Sequence, residues 1–227
     1  MESDLVSVII PTRNSARYLT AALESVMRCG HEPFEVIVVD AGSTDATVEI
    51  AGAFAPVRVI PQTGEGLSAA WNSGIDAAQG ALVAFLDSDD YWADGKLARQ
   101  LEALRTSPEA QLTTALFRFF LDEGCAVPAG FKPELLDGPQ AGQIPGTLVA
   151  RRDLFDRVGV FDTAFAIAAD VDWFARVKDR GEAVVVVDEV LLHKRVHKAN
   201  LSSNAAVNSR ELLTALRSSV KRQRQGE

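Results

Sequence analysis

Two successive units, each an apolar β-branched run that leads through a polar turn into an amphipathic stretch, restrict this chain to a small set of folds. Residues 5–10 form the first run, closed by Pro11, and a run without polar alternation marks a strand buried on both faces. Residues 16–27 follow, with Leu19, Leu23 and Val26 at helical spacing. Residues 34–39 repeat the strand, 40–45 a glycine-containing turn and 46–54 the helix. This repetition predicts an α/β fold with a doubly wound, mostly parallel sheet flanked by helices. A third strand is expected at 57–60, a helix closed by Gly80 at 67–78, and a fourth strand at 81–86 that runs straight into Asp87, Asp89 and Asp90. Ligands of open α/β sheets gather beyond the carboxyl ends of the strands. Pro11-Thr12-Arg13-Asn14, Asp40 and residues 87–90 should therefore line one crevice.

The second half is less regular. A helix at 94–106 precedes a strand at 112–121, a Gly- and Pro-rich stretch at 124–145, helices at 151–158 and 171–178, and a late strand at 183–187. Residues 1–208 read as one domain with two functional halves divided near residue 105, and 209–227 as a C-terminal amphipathic helix with a basic tail. That helix, with Leu212, Leu213, Leu216 and Val220 on one stripe, suits docking on the domain, and a membrane-surface or partner role stays open beside it. The formal charge of −8 argues against a general nucleic-acid binder, because phosphate backbones reward clustered Lys and Arg. Cys29 and Cys125 lack the paired spacing of a zinc site or disulfide framework. Met1-Glu2-Ser3-Asp4 has no basic leader, and no apolar run reaches the ~20 residues that span a bilayer, so the expectation is a soluble cytoplasmic protein with at most peripheral membrane association.

Asp87, Asp89 and Asp90 sit at a core edge, where mutual repulsion is costly and a positive charge should offset it. A hard divalent cation, Mg²⁺ or Mn²⁺, fits, since it takes one or two carboxylates together with substrate phosphates. An acidic cap for the next helix explains Asp89 or Asp90 as well.

Four segments in order decide between these readings: Val6-Ser7-Val8-Ile9-Ile10-Pro11-Thr12-Arg13-Asn14, Val38-Val39-Asp40-Ala41-Gly42-Ser43-Thr44-Asp45, Gly66 with Trp71-Asn72, and Phe85-Leu86-Asp87-Ser88-Asp89-Asp90. Over residues 5–202 the chain resembles family 2 of the inverting glycosyltransferases, which have the GT-A fold. The resemblance implies a nucleotide-sugar donor held by Pro11, Thr12, Asn14, Asp40, Gly66, Asp87 and Asp89 of the first half together with Arg195 of the second, and an acceptor site in the second half. It implies that Asp40 accepts a hydrogen bond from the base, which favours a UDP- or dTDP-sugar, that Asp87 faces the ribose or metal, and that Asp89 and His197 ligate Mn²⁺ or Mg²⁺. Turn and cap chemistry is the alternative for Asp40 and Asp45, and for Asp45, just before the helix at 46–54, capping explains the residue at least as well as ligand contact.

In Ala168-Ala169-Asp170-Val171-Asp172-Trp173, Asp170 matches the family's catalytic base, while Ala169 replaces the usual Glu. Asp172, two residues on, points elsewhere on a helix. His193-Lys194-Arg195-Val196-His197 resembles a loop that neutralises the diphosphate. Pro145-Gly146-Thr147 matches a segment near sugar and acceptor, or is an ordinary turn; Trp71 stands where relatives commonly have Arg; Trp92 and Trp173 could stack on a sugar or pack in the core. The implied reaction moves a sugar to a hydroxyl of an unidentified glycan, lipid-linked, peptide or small-molecule acceptor, in cell-envelope or polysaccharide assembly, with a homodimer left open. A non-catalytic nucleotide-binding or scaffold protein of the same fold is the alternative. A nicotinamide-dependent oxidoreductase is not, because no Gly-x-Gly-x-x-Gly follows the first strand.

Overall fold

The structure is a computed structural model of the 227-residue chain and describes residues 5–128, 130–197 and 205–225. The first four residues and the continuation of the basic stretch through residues 200–202 lie outside the described residues. The N-terminal half folds as its apolar pattern predicts: β1 (Val6–Thr12), α1 (Leu19–Met27), β2 (Phe34–Asp40), α2 (Thr47–Gly52), β3 (Val57–Pro61), α3 (Leu67–Ala77) and β4 (Leu82–Phe85). The second half adds β5 (Tyr91–Trp92), α4 (Lys96–Thr106), β6 (Ala110–Leu121), β7 (Gln140–Ala141), β8 (Val149–Arg151), α5 (Leu154–Val158), α6 (Ala169–Asp179), β9 (Ala183–Val196) and α7 (Ala205–Gln225).

All described strands join one sheet in the order β3-β2-β1-β4-β8-β6-β9-β5, with β7 on β6. The first four are parallel, and β8 turns the sheet antiparallel at β4. Side chains alternate between faces with the strand period of two. Val8, Ile10, Val36 and Val38 pack with Leu23 of α1 and Leu97 and Leu101 of α4, whereas Ile9, Ile37, Val83 and Phe85 pack with Trp71 of α3, Phe155 of α5 and Trp173 of α6. Burying each such side chain stabilises the fold by roughly 1.5–3 kcal/mol. Gly74 lets α3 approach this closely, because a β-carbon there would overlap Ile9 Cγ2. The parallel register sets Thr12 opposite Asp40 and Ile9 opposite Phe85, so the carboxyl ends of β1, β2 and β4 lie level.

Three expectations need correction. The late strand does not stop at 187: β9 continues to Val196 because Asp188 and Glu189 form a bulge, after which pairing with β6 resumes at Leu116↔Val190. Arg151 ends strand β8 opposite Leu82 instead of opening a helix, which starts at Leu154. The C-terminal helix begins at Ala205 and docks through polar side chains, Ser219 and Arg222 on Asp179, while Leu213, Leu216 and Val220 of the apolar stripe stay exposed.

Lys96, at the start of α4, is fully buried; its Nζ has no hydrogen-bond partner and lies 4.3 Å from the Trp92 ring centroid. Burial lowers the ammonium to about 7, with the nearby Cys29 opposing that shift. The folded pKa is below the unfolded one, so the folded chain gives up a proton that the unfolded chain keeps, and stability falls as pH drops from about 10 toward 7. Lys96→Met should raise unfolding free energy by on the order of a few kcal/mol at pH 7 and by distinctly less at pH 9.5. Urea unfolding of both proteins at the two pH values measures this. An equal gain at both would contradict the assignment.

Candidate active site

The acidic turn follows β4 directly: Leu86 N–H donates to Ile9 O at 3.0 Å, and Asp90 N–H closes the turn on Asp87 O at 3.1 Å. β5 then pairs antiparallel with β9, Tyr91 opposite His193 and Trp92 opposite Leu192, which lays Lys194 and Arg195 along the acids. Lys194 Nζ donates to Asp87 Oδ2 at 2.9 Å and to Asp90 Oδ2 at 3.0 Å, and the Arg195 N–H donates to Asp90 Oδ1 at 2.7 Å. Burial alone would lower the Lys194 ammonium, yet Asp90, Asp87 and Asp89 hold its proton and raise it well above the usual lysine value. Burial pushes the Asp90 carboxyl upward, and Lys194 opposes that rise. Asp90 is therefore no helix cap: the N-cap of α4 is Gly95, and Asp90 is 1% exposed beneath the lysine.

His197 and Arg195 are not on a loop free of the sheet. Arg195 closes β9's last turn of contacts: its Nε donates to Asp89 O at 2.8 Å, its Nη1 to Asp122 Oδ1 at 2.7 Å, and its guanidinium lies between the rings of Tyr18 and Phe120. His197, just past the strand, places Nε2 2.8 Å from Asp89 Oδ2 and packs on Tyr18. Asp122 is a hub the sequence did not mark, because one acid after an apolar strand reads as a loop residue. It also accepts from Arg17 Nη2 at 2.9 Å and the Tyr18 hydroxyl at 3.1 Å. Sequence reasoning likewise quoted Lys194 without giving it a partner.

The loops after β1 and β2 lock together. Asn14, at a positive φ of 50°, accepts from Thr44 N–H at 2.8 Å and donates its own N–H to Ser43 Oγ at 2.9 Å. Asp40 accepts from the N–H groups of Gly42 and Ser43, so its carboxylate serves the turn. Asp45 accepts from Thr47 N–H at 3.0 Å and Ala16 N–H at 3.2 Å, as a residue before a helix does. Ser15 Oγ reaches Ser88 Oγ at 2.8 Å and so ties the first loop to the acidic turn. Pro11 and Thr12 are buried at the end of β1, and Thr12 Oγ1 has no hydrogen-bond partner. Gly66 caps α3 at φ 85°, with open space where a side chain would stand.

Asp170 lies in the first turn of α6, close enough to Asp87 and Lys194 to feel both charges. Burial chiefly, with Asp87 adding, raises its carboxyl to about 6, against the hydrogen bond from Val171 N–H. Asp172 is instead tied down by Arg176 at 2.8 Å and Arg222 at 3.5 Å. Trp71, Trp92 and Trp173 are core residues, each at most 4% exposed. Thr147 Oγ1 donates to Ile144 O at 2.8 Å and Gly146 abuts Leu192, so Pro145-Gly146-Thr147 is a packed turn.

The donor set fits a divalent cation. Carboxylate oxygens of Asp87, Asp89 and Asp90 lie within 4.8 Å of one another, and the Asp89 oxygen beside His197 Nε2 makes the oxygen–nitrogen pair that Mn²⁺ accepts. Asp90 is already committed to Lys194 and the Arg195 amide, so Asp89 and His197, with Asp87 adjacent, are the residues that could hold an ion.

A sheet that is parallel over its first four strands and covered by helices on both faces is the fold of the GT-A glycosyltransferases. Solved structures share it: the Staphylococcus aureus protein TarS in complex with UDP-GlcNAc (TM-score 0.73, 22% identity, covering 98% of this chain and 66% of that one) and the mannosyltransferase of Pyrobaculum calidifontis in complex with GDP-Man and Mn²⁺ (TM-score 0.71, 20% identity, 95% and 64%). The chain belongs to glycosyl transferase family 2, whose model matches residues 7–158. It is 40% identical over 103 residues to TuaG of Bacillus subtilis, a glycosyltransferase named for teichuronic acid biosynthesis, covering 43% of this chain and 41% of that protein. Other bacterial glycosyltransferases that match are also longer, and the chain spans 31–63% of their length. Among the described residues no helix is long and apolar enough to cross a membrane.

Removing the ammonium leaves Asp87 and buried Asp90 without their counter-charge. Lys194→Met should cost roughly 3 kcal/mol of stability, and Mn²⁺ should recover part of that loss while affecting the parent less. Thermal unfolding with and without Mn²⁺ measures both effects. An unchanged melting temperature, or no extra response to the ion, would contradict the pairing.

Proposed function

We propose that this domain transfers a sugar, with inversion, from a UDP- or dTDP-sugar to an acceptor hydroxyl, using a divalent metal. The observation that carries the reading is that Asp170, a carboxyl raised to about 6, lies near enough to feel the charges of Asp87 and Lys194, in the acidic turn where Asp89 meets His197. Residues of the N-terminal half, to about 105, take the donor: Pro11, Thr12 and Asn14 beside the nucleoside, Asp40 toward the base, Gly66 at the open start of α3 and Asp87 toward the ribose. Asp89 and His197 hold Mn²⁺ or Mg²⁺, which when bound adds positive charge beside the diphosphate, and Arg195 contributes its own. Residues 106–208 frame the acceptor. The kinship with TuaG supports a polysaccharide or cell-envelope acceptor.

Asp170 accepts the proton of the acceptor hydroxyl as that oxygen bonds to the anomeric carbon and the bond to the diphosphate oxygen breaks. A base must be ionised to act, so kcat should rise about tenfold per pH unit below pH 6 and level off above it. Asp170→Asn should lower kcat by roughly 10²–10⁴-fold with the donor KM little changed, measured as release of nucleoside diphosphate in the presence of Mn²⁺. Full transfer rate in Asp170→Asn would remove the base assignment. Unaltered metal dependence in Asp89→Ala would remove the donor site.

A further inference from the structure

The segment that leads into the helix carrying Asp170 presents three consecutive N–H groups, and all three donate to one carboxylate from another helix. Ala166 N–H reaches Glu211 Oε1 at 3.0 Å, and the N–H groups of Ile167 and Ala168 reach Oε2 at 2.8 and 3.0 Å. Ala168 is the N-cap residue of α6, and its methyl side chain cannot cap. Ala169, where the family resemblance leads one to expect a Glu, is buried and equally mute. Glu211 of α7 instead holds the backbone that enters the helix, and its negative charge lies by the positive end of the helix dipole.

Asp162, Thr163, Ala164 and Ala166 are exposed, and the preceding tie is a 3.3 Å hydrogen bond from Ser68 Oγ to Phe165 O. At the far end of α6, Ser219, Arg222 and Gln223 of α7 all bind Asp179. α7 thus grips α6 at both ends, and its grip on the leading end is the Glu211 carboxylate.

We propose that Glu211 is a positioning residue for Asp170: by holding the N–H groups of residues 166–168 it fixes the first turn of α6 and with it the carboxylate that takes the acceptor proton. This rests on the reading of Asp170 as base. Glu211 touches no reacting group. Without it, the N–H groups of residues 166–168 lose their acceptor and the entry to α6 is no longer held in one place. A base carried on that turn is then misplaced.

The test is a double-mutant cycle in the full chain with Glu211→Ala, Asp170→Asn and the double variant, and with Glu211→Gln, which keeps one acceptor oxygen. Glu211→Ala should lower kcat about tenfold or more, with donor KM within twofold, and Glu211→Gln should fall between it and the parent. In the Asp170→Asn background the loss should vanish, because the residue it positions is gone. Losses that multiply in the double variant, or a Glu211→Gln variant no better than Glu211→Ala, would overturn the proposal. Should Glu211→Ala unfold, Glu211→Gln carries the same comparisons. Full rate in Asp170→Asn would instead strike the base assignment, so the two failures are separable.

Discussion

Three carboxylates crowd within 4.8 Å at the end of β4, and the Lys194 ammonium is what makes that crowding tolerable. Charges of one sign at a core edge raise each other's cost, and a cation touching two of them reverses the sign of the interaction. Much of the second half follows from delivering that cation. β9 must run past its bulge to reach the acidic turn, β5 must pair with it to set the register, and Asp122 must receive the Arg195 guanidinium that arrives one residue later. The residue just past that strand is His197, beside Asp89, so the neutralising lysine and the proposed metal ligand come from one segment.

The lysine also divides the labour among the acids. Asp90 is spent on the fold, held by Lys194 and a backbone amide. Asp87 shares the lysine but keeps part of its surface, and Asp89 turns away from it toward His197. A divalent ion arriving with a diphosphate would therefore meet a cluster whose repulsion is already partly relieved, with the Asp89–His197 edge open to exchange.

Much of the N-terminal half was legible in the sequence because its strands are buried on both faces and read as unbroken apolar runs, so β1 to β4 and the levelling of Thr12, Asp40 and Asp87 at one edge followed. β9 was not, since Asp188 and Glu189 interrupt the pattern where the chain bulges, and His193 to His197 then read as a charged loop. Burial decided between alternatives that spacing left open: Trp92 and Trp173 are core, Asp172 is paired with arginines, and Asp90 is covered. Glu211 carried no local signal at all, because its partners are backbone N–H groups more than 40 residues away in the chain. A carboxylate that holds distant backbone N–H groups leaves no motif.

The central claim is that metal and donor meet at the end of β4. Crystals grown with UDP and Mn²⁺, recorded at the manganese absorption edge, test it most directly. The account predicts an anomalous peak bridging the Asp89 carboxylate, His197 Nε2 and the diphosphate, with the uracil in the crevice by Asp40. Manganese bound away from Asp89, or UDP bound without contact to the β1, β2 and β4 edge, would contradict it.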